Sequence, residues 1–173
     1  MGSVVARGAW RLLSVLALLL PAACGTSRPA GEASRGGVQG GEWSCVPYAR
    51  ARAGFDLRGN AWEWWEAADG RYDCGRAPRR GSALVLLRTS RLPQGHVAVV
   101  TRVVSAREVR VDHANWASSA AKGRVARDQA VQDVSAANDW SLVRIWYPRV
   151  GDYGATSYTS YGFIHGGTLN AAL

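Results

Sequence analysis

The chain has 173 residues, enough for one core of ordinary size, and carries 21 basic against 13 acidic residues for a formal net charge of +8. Only Lys122 among the basic residues is a lysine; the rest are arginines. Such a balance suits an anionic partner, while the lack of a basic helix, aromatic–basic interleaving or zinc-finger spacing excludes nucleic acid as the expected ligand.

The chain begins with an export signal. Arg7 and Arg11 precede the apolar run Leu12-Leu13-Ser14-Val15-Leu16-Ala17-Leu18-Leu19-Leu20, which is too short to span a bilayer, and Pro21-Ala22-Ala23-Cys24-Gly25 supplies small residues where cleavage occurs. Ala22-Ala23-Cys24 is similar to the end of a bacterial lipoprotein signal, so residues 1–24 predict an exported protein of the periplasm or cell envelope. In that reading it is held to a membrane through lipidated Cys24. Residues 25–42 are rich in Gly and Ser with almost nothing apolar, and read as a flexible tether. The folded domain is expected over residues 43–173.

Ser44 is placed to cap a helix over Cys45–Ala53 that Gly54 stops, with Pro47 in the first turn, where its missing N–H does no harm. A second helix, capped by Asn60, is expected over Ala61–Ala68, with Ala61, Trp62, Trp65 and Ala68 on one face. Beyond Gly81 the pattern changes to strands: Ala83 to Leu87, His96 to Val104, Arg107 to Val111 and Ser141 to Tyr147, separated by short Pro-, Gly- and Ser-rich turns. Residues 117–132 have a helix-like composition broken at Gly123, and the tail from Gly151 reads as an ordered loop or edge strand. Helices first and strands afterwards predict an α+β domain, with N-terminal helices packed on an antiparallel sheet.

Cys45 opens the first helix, where free N–H groups and the helix dipole favour a thiolate and the backbone N–H can serve an oxyanion. His96 follows the turn Pro93-Gln94-Gly95 and is the candidate base. In Val109-Arg110-Val111-Asp112-His113-Ala114-Asn115, period-two alternation puts His113 and Asn115 on the core face with the valines and turns Asp112 away, unless a bulge shifts the register. His113 is therefore the expected orienter of His96, with Asn115 a neighbouring hydrogen-bonding group. A neutral imidazole in that role predicts activity falling as His113 protonates near pH ~6.5. Trp116 and Trp65 are the candidate substrate-binding aromatics, and His165 is not expected to be catalytic.

The motifs Cys-Val-Pro-Tyr-Ala-Arg from Cys45, Gly-His-Val-Ala-Val-Val from Gly95 and His-Ala-Asn-Trp from His113 occur in an order that resembles the CHAP domain (cysteine, histidine-dependent amidohydrolase/peptidase). The resemblance covers roughly residues 43–147. It implies a papain-like fold and cleavage of peptidoglycan, at the sugar–peptide amide or within the peptide bridges, with Cys45 as nucleophile and His96 as base. His113 stands where many relatives have a glutamate, and Asn115 matches an asparagine two residues later. The expected activity is amide hydrolysis by a monomer through a thioester acyl-enzyme, with peptidoglycan as partner and no cofactor.

Two other readings compete with this one. In an oxidising compartment Cys45 and Cys74 invite a disulfide, which would leave a non-catalytic wall-binding domain on the same fold. A zinc site built from Cys45, His96 and His113 lacks a close ligand pair to anchor it, so no metal is expected.

Overall fold

The computed structural model describes Gly2, Val38–Gln39 and residues 42–116 and 122–173. By contacts the chain divides into Met1–Gly31 and Glu32–Leu173, and the second unit is the one described below. Apart from Gly2, the expected export signal with Cys24 lies outside the described residues, as does most of the expected tether.

Among its described residues this unit has nine strands and two short helices. The strands are β1 (Val38–Gln39), β2 (Cys74–Gly75), β3 (Ala83–Leu86), β4 (His96–Ser105), β5 (Glu108–Ala114), β6 (Val125–Asp133), β7 (Leu142–Tyr147), β8 (Asp152–Tyr153) and β9 (Tyr158–Ile164). The helices are α1 (Cys45–Ala53) and α2 (Trp64–Ala67), the latter preceded by a 3₁₀ turn over Ala61–Glu63. Every strand pairing among the described residues is antiparallel.

The sheet closes on itself. β3 pairs with β4, β4 with β5, β5 with β6, β6 with β7, β7 with β9, and β9 returns to β3. A closed six-stranded barrel, with two short helices among the described residues, overturns the α+β, papain-like expectation of N-terminal helices packed on an antiparallel sheet. Two segments account for the difference. β6 lies almost wholly in the stretch of helix-like composition, and β9 lies in the Tyr- and Gly-rich tail. Both are strands because each finds a partner on either side, which removes the unpaired edges of an open sheet.

Alternation along the strands sorts the core into two parts. Leu84, Leu86, Ala98, Val100, Val109, Val111, Val131, Trp140, Val143, Ile145 and Phe163 form one buried cluster. Ala83, Val85, Val97, Val99 and Ile164 point the other way, against Ala49, Ala53, Phe55, Leu57, Trp64 and Ala68. The helices therefore cover one outer face of the barrel, and α1 sits against β4 and β5.

Helix α1 has the bounds its sequence predicts. Gly54 ends it at φ 73° and donates its N–H to the Arg50 carbonyl, while Ser44 precedes it in extended conformation without a side-chain capping bond. The second helix is shorter than expected and starts as a 3₁₀ turn, with the Glu63 carboxylate accepting the Asn60 N–H at 2.5 Å. Gly95 is required in front of β4. Its φ is +65°, and a Cβ there would come within 2.7 Å of the Leu86 carbonyl and 2.9 Å of Trp62. This tight passage sets where His96 enters the sheet.

Candidate active site

His96 begins β4 and His113 is the penultimate residue of β5, both on the barrel-interior face and both almost fully buried. Their rings meet edge to face, with His96 Nε2 3.0 Å from His113 Nδ1. Cys45, at the first turn of α1, lines the same cleft as His96, beside Asn115 and Trp116. Cys45 and Cys74 are both free thiols, and Cys74 instead lies on β2, paired with Ile164 of β9.

The choice of His113 over Asp112 follows from where a bulge falls. The β5–β6 register steps from Val111↔Gln129 to His113↔Ala126, so the extra residue is in β6, where Asp128 takes φ 50°. Alternation in β5 is undisturbed. Asp112 faces the helix layer, where its carboxylate accepts Arg52 Nε at 2.9 Å and the Asp128 N–H at 2.9 Å. It is the anchor of α1 to the barrel and faces away from the imidazoles.

The hydrogen bond between the two rings dictates the tautomers. For His96 to take a proton from the thiol on Nδ1, its Nε2 must carry hydrogen and donate to His113 Nδ1. His113 then holds its own proton on Nε2, a buried atom with no hydrogen-bond partner among the described residues. Leaving such a donor unsatisfied costs about 1–3 kcal/mol.

Burial governs the protonation of all three groups. It pushes the Cys45 thiol up, against hydrogen bonds from the backbone of Val97, Val46 and Cys45 itself that pull it down. His96 is held well below 6.5 by burial and then by its neighbour His113, and burial alone lowers His113 to about 4. The helix-end expectation of a ready thiolate is thus outweighed by desolvation. At neutral pH the site therefore holds a thiol and two neutral imidazoles. For a hydrolase that uses these imidazoles, the acid limb of a pH–rate profile is accordingly expected well below pH ~6.5.

The same shifts predict a dependence of stability on pH. A histidine whose folded pKa is depressed contributes stability that is complete above the unfolded value of 6.5 and is lost as pH falls through the folded one. For His113, between 6.5 and about 4, the loss is on the order of 3 kcal/mol, and His96 acts with the same sign. Thermal unfolding followed from pH 7.5 to 4.5 is expected to show a falling Tm, with a shallower fall in His113→Gln. Equal slopes in the two proteins would contradict the burial of a neutral His113.

Asn115 lines the cleft but its side chain is engaged elsewhere. It sits at φ 58°, its Oδ1 accepts the Gly123 N–H at 2.9 Å, and its own N–H donates to the Arg124 carbonyl. It closes the β5–β6 connection and so fixes Trp116. Trp116 lies 4.6 Å from the His96 ring centre, 5.6 Å from that of His113 and 5.0 Å from that of Tyr158. The indole covers the imidazole pair and helps keep it dry. Trp65 is not brought to the cleft; it stacks on Tyr161 at an interplanar angle of 15°. His165 is buried beside Gly75, also away from the cleft.

Two further cleft residues are not singled out by the sequence. Tyr158 braces Trp116 from β9, and Gln129 of β6 is buried yet lines the cleft. Gln129 alternates with Val131, a signal visible only once residues 125–133 are read as a strand. The cleft has a volume of about 1490 Å³. That exceeds the ~300–1,000 Å³ of a small-molecule site and suits a segment of polymer. Among the described residues no cluster of His, Cys, Asp and Glu could hold a metal, and no helix is long and apolar enough to cross a membrane.

A family model described as the CHAP domain matches residues 36–115, which contain Cys45, His96, His113 and Asn115. No curated protein matches the chain.

Proposed function

We propose that the chain cleaves amide bonds of peptidoglycan, a reading supported by the CHAP family model that matches residues 36–115 and that is typical of hydrolases. The observation that carries the reading is the 3.0 Å contact between His96 Nε2 and His113 Nδ1 at the edge of a cleft that Cys45 shares. Cys45 Sγ attacks the scissile carbonyl as its proton passes to His96 Nδ1. The oxyanion forms near the backbone N–H groups at the start of α1. His113 holds the imidazole in register and shares the positive charge it acquires. His96 then protonates the leaving amine, and water, deprotonated by His96, hydrolyses the thioester.

The bond cut is either the muramoyl–L-alanine amide or an amide of the peptide bridges. Export by residues 1–24 and attachment through Cys24 would place this activity in the cell envelope, as a monomer on its wall substrate. Digestion of purified peptidoglycan by wild type and Cys45→Ala, with mass analysis of the released ends, tests the proposal. Wild type is expected to expose new amide-derived termini that Cys45→Ala does not; identical digests would overturn it.

His113 makes a second, graded test. His113→Ala is expected to lower kcat by about 10²–10⁴-fold, since His96 loses the group that fixes its tautomer and ring plane. KM should change little, because His113 is buried beneath the cleft and does not line it. An unchanged kcat would remove His113 from the mechanism.

A further inference from the structure

The charge lining the cleft is of one sign. Arg91 from the β3–β4 turn, Lys122 and Arg124 before β6, and Arg149 after β7 border it, and no carboxylate does so among the described residues. Elsewhere on the domain exposed arginines sit beside acids: Arg58 and Arg71 with Asp56, Arg79 with Asp73, and Arg102 with Asp128. None of the ion pairs among the described residues involves Arg91, Lys122 or Arg149; Arg91 donates instead to the Thr156 hydroxyl at 3.4 Å across the cleft mouth. Cations that converge on a concave, partly apolar surface focus their field and raise the local concentration of an anion. They also discriminate, because a neutral analogue gains nothing from them.

We infer that the cleft selects peptide substrates whose residues next to the scissile amide keep free carboxylates, and discriminates against the same peptides with those carboxylates amidated. This rests on the amide-hydrolase reading above and names the substrate class within it. Arg91, Lys122 and Arg149 contact the carboxylates from three separate connections of the barrel, in the cleft that Cys45 and His96 also line.

The test uses a synthetic stem peptide with free carboxylates and its carboxamide twin, each titrated calorimetrically into Cys45→Ala so that binding is read without turnover. The free form is expected to bind about tenfold more tightly at low salt, with the ratio falling toward one near ~0.5 M salt as the charges are screened. Adding Arg91→Gln, Lys122→Gln and Arg149→Gln together should abolish the preference and leave the carboxamide form binding as before. Equal binding of the two peptides, or a preference that survives the triple substitution, would overturn the inference. A glycerol phosphate oligomer that displaces the peptide with higher affinity would also overturn it, by assigning the cations to a phosphate polymer. Wild-type digestion of peptidoglycan run in parallel separates the two claims. Hydrolysis without a carboxylate preference would sink the inference alone, and a preference without hydrolysis would sink the reading of the activity alone.

Discussion

Cys45→Ala is expected to lower amide hydrolysis on the order of 10⁶-fold while leaving the fold intact. The size follows from the role: removing the nucleophile of such a triad costs about as much as removing the whole unit, because the remaining groups have nothing to act through. The fold should survive because Cys45 is only partly buried at the edge of the helix-side core, and Ala is a good residue in a first helical turn. Thermal unfolding and hydrolysis on one preparation check both halves. A loss of activity accompanied by a collapse in Tm would point to a packing role instead.

Asp112→Ala has the opposite profile, with a large effect on stability. Arg52 and Asp112 are both largely buried, and their 2.9 Å pair joins α1 to β5. Arg52 also donates to the Asn170 carbonyl at 2.5 Å, so the same guanidinium gathers the C-terminal segment. Removing the carboxylate leaves the guanidinium buried with one acceptor fewer and orphans the Asp128 N–H, at a cost of about 3–5 kcal/mol. For a domain of this size that shifts Tm by on the order of 10 °C. Replacing both partners with apolar residues, as in Arg52→Met with Asp112→Leu, should cost less than Asp112→Ala alone, since no unpaired charge remains. A double variant at least as unstable as the single would refute that account. Activity at low temperature, where the protein remains folded, should persist in Asp112→Ala, because the carboxylate faces the helices. If activity vanished with folding preserved, Asp112 would have to be assigned a role in the site.

Much of the candidate site is legible in the amino-acid sequence. Cys45 stands behind a serine at the helix start, His96 behind a Pro-Gln-Gly turn, and period two in β5 separates His113 from Asp112. These are local signals, and local geometry decides them. The bulge that could have reversed the last of them falls in β6, at Asp128, where β5 does not feel it. What stays hidden is long-range. Tyr158–Ile164 has little of the Val-rich character of a central strand, yet it closes the barrel because β3 and β7 both present unpaired edges to it. Residues 125–133 carry Arg127, Asp128, Gln129 and Gln132, which mask a strand whose alternation is broken by its own bulge. Without those two strands the sheet reads as open and the helices as a larger share of the fold than nine and four residues allow. The pKa directions are hidden for the same reason. A helix N-terminus argues for a thiolate, but the burial that outweighs it depends on how the barrel mouth packs around Cys45. Asn115 lines the cleft with His96, although its amide oxygen serves the backbone of Gly123.

The account turns on Cys45 as the atom that bonds to substrate, and Cys74 supplies the internal control. A stem peptide carrying a chloromethyl ketone in place of the scissile amide should alkylate Cys45 once, as read by intact mass and peptide mapping, and hydrolysis should fall in step with labelling. Full labelling of Cys45 with hydrolysis undiminished, or loss of activity that tracks labelling of Cys74 alone, would contradict it.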